Sequence, residues 1–388
     1  MEMNELFYKD PYLTEFDAEV LSCVKGKKDY EVILSDTAFY PEGGGQPADH
    51  GMLGDIPVVD VKRDKEDRII HHLTAPLEEG ITVHGIIDWE RRFDHMQNHT
   101  GEHIVSGLIH QKYGYENVGF HLSDNTVLVD FDGFLTPEQL AEVEMEANEL
   151  IWRNVPVQET FPTDEELEHM EFRSKKELSG KVRIIEVPGG DICACCGTHV
   201  MRTGEIGLIK IIASQKNGEG VRAEMMCGKR ALNDYIRKNE INARIYRMFA
   251  AKPYEAAEAV VRLKESDEEK GRALTRLARK YFTEKSEHVM PGTPFILEFE
   301  EGISANAARE YASALVAEKG VGTAAVLMKQ AENRYSYMVI SQSRNLRDVS
   351  KEINTRLNGR GGGKPDMIQG SLEAEEETIR EVFTELFA

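Results

Sequence analysis

Two short motifs, far apart in the chain, each place two metal-binding side chains four positions apart. The first runs from His99 to His103 and the second from Cys195 to His199. Residues i and i+4 of a helix lie on one face, so both imidazoles of the first motif can reach one ion. A fold that joins the motifs offers three imidazoles and one thiolate, which suits Zn²⁺. The alternative is that the histidines are ordinary surface or capping residues, because such pairs also arise by chance.

Other chemistries fit these residues less well. Cys193 and Cys196 have the spacing of a redox pair, but such pairs usually open a helix in a thioredoxin-like unit, and no such unit is visible. A metalloprotease needs Glu directly after the first His, where Thr100 stands. A nucleobase deaminase needs Pro before its Cys-x-x-Cys, and Cys193 follows Ile192. We therefore rank zinc first.

A third motif, Thr37–Pro47, combines a threonine, two aromatic residues, three consecutive glycines and Gln46. Consecutive glycines let the backbone come close to a ligand or bend sharply. A plain hairpin loop is the alternative interpretation. The unusual mixture of side chains favours a ligand-binding loop.

Composition restricts the class of protein. The chain has 388 residues and a net charge of −21, which argues against a general binder of DNA or anionic membranes but not against a local basic face. No apolar run is long enough for a membrane span, and the start of the chain lacks a signal peptide. Five cysteines and no export signal make a disulfide framework improbable. We expect a cytoplasmic protein.

The chain changes character along its length. Short β-branched segments separated by Gly, Pro and Asp predict a small barrel or sandwich in the first domain, 1–89. A helix from Trp89 to Tyr113 opens the second domain, 90–228, which carries the metal motifs. Charged helical sequence predicts an arm at 229–289, and alternating strands and helices predict an α/β domain at 290–388.

Taken together, the motifs resemble a known family. Thr37–Pro47, Gln97–His103 and Cys195–Val200 resemble the editing domain of alanyl-tRNA synthetase and its free-standing relatives, the AlaX proteins. Asn358–Gly370 resembles the glycine motif of the DHHA1 domain. The resemblance covers nearly the whole chain and implies the long form of AlaX. It also implies an α+β fold: a small β-barrel, a zinc-binding editing domain, a helical arm and a C-terminal α/β DHHA1 domain.

The chain departs from the family at a few positions. Cys196 stands where the family's motif usually has glycine, so either Cys195 or Cys196 could be the thiolate ligand, and the four-residue spacing favours Cys195. Ile368 replaces the usual alanine after the glycine motif. No synthetase domain precedes the barrel, so we expect no aminoacylation activity.

The resemblance implies hydrolysis of the ester in mischarged tRNA(Ala), mainly Ser-tRNA(Ala), with Gly-tRNA(Ala) left open. Thr37 is implied as the reader of the serine hydroxyl, although it could merely satisfy the backbone of a turn. Gln46 and Gln97 are candidates for orienting water or the terminal ribose. Zinc could activate water or only position the substrate. We expect Glu102 to be a surface residue, because it lies about 100° round the helix from His103.

Binding of tRNA requires contacts to phosphates. The expected glycine loop carries the candidates Arg360, Gly361, Gly362, Gly363 and Lys364, whose N–H groups could form an anion nest. Arg91-Arg92 and Lys229-Arg230 are candidate basic patches, and Arg222 is a candidate neighbour of the pocket. The resemblance also leaves room for a homodimer formed through the C-terminal domain.

Two rival functions remain. A phosphoesterase is suggested because DHHA1 domains also accompany DHH catalytic domains, but the chain has no Asp-His-His motif. A non-catalytic tRNA-binding module with a structural zinc is the main alternative, since four protein ligands would saturate a tetrahedral ion.

Overall fold

The computed structural model describes residues 4–174 and 182–388. The chain forms two compact units, Met1–Ile241 and Asn242–Ala388. The division into four domains at 1–89, 90–228, 229–289 and 290–388 stays a prediction. The first two of these ranges include residues 1–3 and 175–181, which lie outside the described residues.

The N-terminal part of the first unit is a closed antiparallel barrel, as expected, and not a sandwich. Its six strands follow the order β2-β3-β7-β6-β5-β8, and β8 closes onto β2. A short helix, α1, and the two-residue strands β1 and β4 stand outside the barrel. The bounds are β1 Asn4–Glu5, α1 Leu6–Lys9, β2 Glu15–Lys25, β3 Tyr30–Leu34, β4 Asp36–Thr37, β5 Gly51–Leu53, β6 Ile56–Arg63, β7 Ile69–Leu73 and β8 Thr82–Ile87.

Alternation along the strands builds the barrel interior. In β2, Phe16, Ala18 and Val20 are buried while the residues between them are exposed. This period of two matches the pleat of a strand with one face in a core. The inward side chains form one apolar cluster that also holds Phe39 and Tyr40, from the stretch that follows β4.

A long helix, α2, links the barrel to a second core. It spans Trp89–Tyr113, as the sequence predicted, with Asp88 as N-cap and Gly114 ending it in the left-handed conformation. Residues 95–109 of this helix are buried, so it is central rather than amphipathic. His99 and His103, the two candidate ligands of the first motif, therefore both lie on a buried helix.

The remaining elements of the first unit surround α2. A four-stranded antiparallel sheet has the order β14-β15-β10-β9, and a three-stranded one has the order β11-β12-β13. The helix α3 begins at Thr136 with a capping box. The bounds are β9 Asn117–Leu122, β10 Val127–Phe131, α3 Pro137–Arg153, β11 Gln158–Thr160, α4 Asp164–Leu167, β12 Ile184–Val187, β13 Asp191–Ala194, a 3₁₀ turn Thr203–Ile206, β14 Ile209–Asn217 and β15 Gly220–Cys227.

Two long helices follow. α5 spans Gly228–Met248 and α6 spans Ala256–Glu287, with a 3₁₀ turn at Pro253–Glu255. Few of their residues are buried, which fits the charged sequence. No helix among the described residues is long and apolar enough to cross a bilayer.

The second unit ends in a mixed five-stranded sheet of order β16-β17-β18-β20-β19. Only β16 and β17 run parallel. Helices pack on this sheet around the clusters centred on Leu315 and Phe383. The bounds are β16 Phe295–Glu301, α7 Ala305–Lys319, β17 Thr323–Ala331, β18 Arg334–Ser341, α8 Leu346–Arg356, β19 Arg360–Lys364, β20 Met367–Glu373 and α9 Glu376–Phe387.

The glycine stretch is a strand and not the loop that we expected. Arg360–Lys364 forms β19, the edge strand paired with β20. Gly361 cannot carry a side chain, because a Cβ there would lie 2.6 Å from Gln369 O. None of Gly361, Gly362 and Gly363 has a positive φ, so the left-handed turns of an anion nest are lacking from this stretch.

Candidate metal centre

The two metal motifs meet in the first unit. One ligand atom from each of His99, His103, Cys195 and His199 lies within 4.8 Å of all the others. Cys195 Sγ is 3.4 Å from His99 Nε2 and 3.3 Å from His199 Nε2. α2 supplies the first two ligands, and the loop after β13 supplies the others.

The geometry fits a four-coordinate zinc ion. Zn–N bonds of about 2.0 Å and a Zn–S bond of about 2.3 Å separate nitrogen and sulfur by about 3.5 Å in a tetrahedron. The two sulfur–nitrogen distances given above match that separation. The loop also comes unusually close to the helix, since a Cβ on Gly197 would lie 2.0 Å from the His99 ring.

Hydrogen bonds fix the tautomer of His99. Its Nδ1 lies 2.8 Å from Gln46 Oε1, which also accepts a hydrogen bond from Thr198 N at 3.1 Å. Because the backbone N–H of Thr198 can only donate, this oxygen is the acceptor, and His99 Nδ1 carries the proton. His99 Nε2 is thereby left with a free lone pair for a metal.

The same arrangement recurs at His199. Its Nδ1 lies 3.1 Å from Thr100 Oγ1. The Thr100 hydroxyl donates its proton to Met96 O at 2.8 Å, so it accepts from the imidazole. His199 Nε2 therefore also faces the thiolate with its lone pair.

The third imidazole is held by a carboxylate. His103 Nδ1 lies 3.1 Å from Asp191 Oδ2, and both side chains are buried. Arg173 holds Asp191 in turn, with hydrogen bonds of 2.8 and 2.9 Å to its two oxygens. Such carboxylate–histidine pairs orient metal ligands and raise their basicity. Neither Asp191 nor Arg173 belongs to a motif with metal-ligand spacing, so both were missed.

Electrostatics favour the thiolate. Burial raises the pKa of the Cys195 thiol, but the neighbouring imidazoles outweigh it and hold the pKa well below its ordinary value. Burial lowers the pKa of His103, whereas the Cys195 thiolate and Asp191 raise it to about 9. Burial lowers the pKa of His199 to about 3. Without a metal, the centre thus holds an anionic sulfur, a neutral His199 and a protonated His103, and coordination by His103 would release that proton.

The structure distinguishes the two adjacent cysteines. Cys195 faces the histidines, whereas Cys196 is exposed. Arg183 holds the loop through two hydrogen bonds, donating to Cys195 O at 3.1 Å and to Gly197 O at 2.7 Å. Tyr8 donates to Cys196 O at 2.9 Å. The loop that carries the thiolate is therefore fixed by its own carbonyl groups.

Thr37 lies beside the barrel interior. Its side chain is fully buried, and its Oγ1 lies 2.8 Å from His71 Nε2. Phe39 N donates to the same oxygen at 3.0 Å. These hydrogen bonds run into the barrel and not to the four ligand side chains, so of the loop's candidates only Gln46 contacts the metal centre directly.

Gln97 and Glu102 lie on other sides of α2. Gln97 Nε2 donates to Glu205 O at 2.8 Å, away from the metal ligands. Glu102 was expected on the surface, and this was wrong: it is fully buried and accepts a hydrogen bond from Ser106 at 2.5 Å and another from Asn117. The helix is enclosed on all sides here, so the angle from His103 did not predict exposure.

The expected basic patch at Arg91-Arg92 was also wrong. Arg92 is fully buried and forms an ion pair with Asp49, which is equally buried. Asp49 also accepts a hydrogen bond from Tyr40 N at 2.6 Å. This pair fastens the Thr37–Pro47 stretch to α2. Arg230 is engaged as well, through its ion pair with Asp94.

The C-terminal candidates lie in the second unit and are all exposed. Arg360, Gly361, Gly362, Gly363 and Lys364 form β19. Gly362 has no atom within 4 Å of a Cβ built on it, so its outer side is open. Arg222, in β15, is paired with Asp130 at 2.6 Å.

Known families match three parts of the chain. Residues 182–223 match the threonyl and alanyl tRNA synthetase second additional domain, and residues 292–388 match the DHHA1 domain. Residues 9–91 match the class II (A) tRNA synthetases. Across 404 aligned positions, the chain is 29% identical to the alanyl-tRNA editing protein AlaX-L of Pyrococcus horikoshii, covering 99% of this chain and 98% of that protein. The chain belongs to the AlaX family, in its long form.

Other relatives agree with AlaX membership. The alanyl-tRNA editing protein Aarsd1 of Danio rerio is 29% identical, covering 94% of this chain and 93% of that protein. The alanine–tRNA ligase of Pyrococcus furiosus is 33% identical, covering 98% of this chain but 43% of the ligase. This AlaX chain thus corresponds to less than half of the ligase.

Proposed function

We propose that the chain is a trans-editing hydrolase. It cleaves the ester of mischarged tRNA(Ala), chiefly Ser-tRNA(Ala), with Gly-tRNA(Ala) left open as a second substrate, spares Ala-tRNA(Ala), and does not aminoacylate. Support comes from relatives that are named alanyl-tRNA editing proteins and match the chain nearly end to end. The reaction takes place in the cytoplasm.

One contact carries the proposal. Gln46 Oε1 accepts hydrogen bonds from His99 Nδ1 and from Thr198 N, and Gln46 Nε2 donates to Thr198 Oγ1 at 2.8 Å. The glycine-rich loop, the helix and the thiolate loop therefore form one site. A purely structural metal would not need a glycine-rich loop from a distant part of the chain against its ligands.

His99, His103, Cys195 and His199 would hold a Zn²⁺ ion. When bound, it would supply a Lewis acid that binds the substrate or lowers the pKa of a water molecule. The chain's own residues prepare the site: Gln46, Thr100 and Asp191 keep the three Nε2 atoms directed at one point. Burial of all three imidazoles excludes bulk water from them.

Discrimination needs a second side chain. A synthetase pocket built for alanine rejects serine only about 10²-fold, whereas a site that hydrogen-bonds the hydroxyl discriminates about 10⁴-fold or more. Thr37 is the proposed reader of that hydroxyl. Gln97 lies away from the ligands, so we assign it no part in the chemistry.

The tRNA body is bound elsewhere. The exposed strand Arg360–Lys364, with one positive side chain at each end, is the proposed phosphate contact of the DHHA1 domain. Extended backbone replaces the expected anion nest, so the two cations supply the attraction. We keep a homodimer through the C-terminal domain as part of the proposal.

The test compares Ser-tRNA(Ala) with Ala-tRNA(Ala), with and without a chelator. We expect rapid loss of serine alone, abolished by the chelator and restored by Zn²⁺. The matched variants are Cys195→Ser and Cys196→Ser, because only the first sulfur faces the histidines. Loss of activity in both variants alike would contradict the ligand assignment. A metal-loaded protein that hydrolyses neither ester would leave the alternative, a tRNA-binding module with a structural zinc.

A further inference from the structure

A buried histidine outside the metal centre contacts the proposed specificity residue, Thr37. His71, in β7, is fully buried, and its two ring nitrogens have different partners. Nδ1 lies 3.1 Å from Val32 O, and Nε2 lies 2.8 Å from Thr37 Oγ1. The metal centre does not use this ring.

The protons of this chain of contacts can be assigned. A carbonyl oxygen only accepts, so His71 Nδ1 must carry a proton and donate it to Val32 O. Burial lowers the pKa of His71 to about 4, so the ring is neutral near pH 7 and Nε2 has no proton. His71 Nε2 is therefore an acceptor, and the Thr37 hydroxyl donates to it.

The other hydrogen bonds of the Thr37 hydroxyl can be assigned in the same way. Its Oγ1 accepts one hydrogen bond from Phe39 N at 3.0 Å. A hydroxyl has one proton and two lone pairs. The proton is committed to His71 and one lone pair to Phe39. Within residues 4–174 and 182–388, no further hydrogen bond occupies the second lone pair.

We propose that His71 is a positioning residue that fixes Thr37 as a hydrogen-bond acceptor, so that the editing site selects aminoacyl esters whose β-substituent is a donor. This inference rests on the proposed function, in which Thr37 reads the substrate side chain. Serine satisfies the requirement because its hydroxyl can donate. Alanine does not, and neither does a β-substituent that only accepts.

The experiment uses the full, metal-loaded chain and three esters of tRNA(Ala): seryl, alanyl and 3-fluoroalanyl. The fluorine is close in size to a hydroxyl but can only accept. Each deacylation rate is divided by the spontaneous hydrolysis rate of the same ester, which removes the inductive effect of fluorine. We expect 3-fluoroalanyl-tRNA to react within about threefold of alanyl-tRNA, because neither side chain can donate a hydrogen bond to Thr37. A rate close to that of the seryl ester would overturn the inference without any variant.

Variants of His71 and Thr37 distinguish the positioning role of His71 from the proposed role of Thr37 as the reader of the substrate side chain. His71→Phe keeps a ring but offers no acceptor, and we expect its seryl-to-alanyl ratio to fall about tenfold or more. His71→Gln restores an acceptor and should recover most of that ratio. Damage to the barrel alone would slow all three esters together and leave the ratio in place. An unchanged ratio in folded His71→Phe, with a lowered one in Thr37→Val, would contradict the role of His71 only. An unchanged ratio in Thr37→Val would contradict Thr37 as the reader and so the proposed specificity.

Discussion

Asp191 lies between two buried side chains: its Oδ2 is 3.1 Å from His103 Nδ1, and Arg173 donates to both of its oxygens. Burial raises the pKa of Asp191, but His103 and Arg173 outweigh it and lower the pKa overall. The carboxylate therefore stays charged and keeps the ring directed at the thiolate.

Replacing Asp191 by Asn tests this orientation. Loss of a carboxylate behind a metal-bound histidine typically weakens metal affinity or activity by about 10–100-fold. We expect Asp191→Asn to bind zinc correspondingly more weakly, measured by competition with a chromophoric chelator. Asp130→Asn removes a surface partner of Arg222 and is the control. Equal zinc affinities in the two variants would rule out this role.

Gln46 and Gln97 offer a matched pair. Gln46 contacts the ligand His99, whereas Gln97 contacts Glu205 O. We expect Gln46→Ala to reduce kcat/KM for Ser-tRNA(Ala) by about 10–100-fold, the range for residues behind metal ligands. Gln97→Ala should stay within about threefold of the wild type. The reverse order would mean that Gln97 reaches the substrate.

Acid should destabilise the barrel through His71. Its folded pKa of about 4 lies below its unfolded value, about 6.5. The contribution is therefore fully present above about pH 6.5 and is lost as pH falls toward 4, amounting to about 3 kcal/mol. Urea unfolding of the wild type and His71→Gln between pH 7.5 and 4 measures it. The free energy of unfolding should depend less on pH in His71→Gln than in the wild type. The control variant, with Gln in place of the exposed His121, should show the wild-type dependence.

The buried pair Arg92–Asp49 should be costly to break. Both side chains are fully buried, so Asp49→Asn leaves a cation without its charge partner. Such changes typically cost about 3–5 kcal/mol. Asp124→Asn breaks the more exposed pair with Arg91 and should cost about 1 kcal/mol or less. If Asp49→Asn and Asp124→Asn had similar free energies of unfolding, the buried pair would not hold the Thr37–Pro47 stretch against α2.

Two neighbouring glycines of β19, Gly361 and Gly362, allow stability and tRNA binding to be tested separately. A Cβ at Gly361 would meet the backbone of Gln369, so Gly361→Ala should destabilise the second unit by about 1–3 kcal/mol. Gly362 has open space around it, so Gly362→Ala should leave stability nearly unchanged. If tRNA approaches this strand, Gly362→Ala should still weaken binding, measured by filter retention. Unchanged binding would move the tRNA contact elsewhere.

Local signals predicted much of the fold. The bounds of α2 follow from the apolar period of the helix, which acts within a few positions. The glycine stretch was assigned to a loop because glycine usually marks turns. The stretch is instead a strand paired with β20. Glycine is required at position 361 because the backbone of β20 leaves no room for a side chain there. That restriction comes from a partner strand and has no local pattern.

The site was predictable only in part. Spacing paired His99 with His103 and Cys195 with His199, because four-residue separation is a local property, whereas the meeting of the two pairs was expected from ligand chemistry and from the family resemblance. The residues behind them that were missed, Asp191 and Arg173, reach the ligands through tertiary contacts. Burial of Glu102 likewise depends on what packs around α2. Such contacts join distant positions and leave no trace in a single sequence.

The placement of the ligands on α2 and on a much later loop has a consequence for biosynthesis. Chains emerge from the ribosome N-terminus first, and domains fold as they emerge. The barrel and α2 are complete while Cys195 and His199 are still being synthesised. A nascent or prematurely terminated product that stops before Cys195 therefore presents two imidazoles and no thiolate. The four-ligand centre is therefore completed only after residue 199 has been added to the chain.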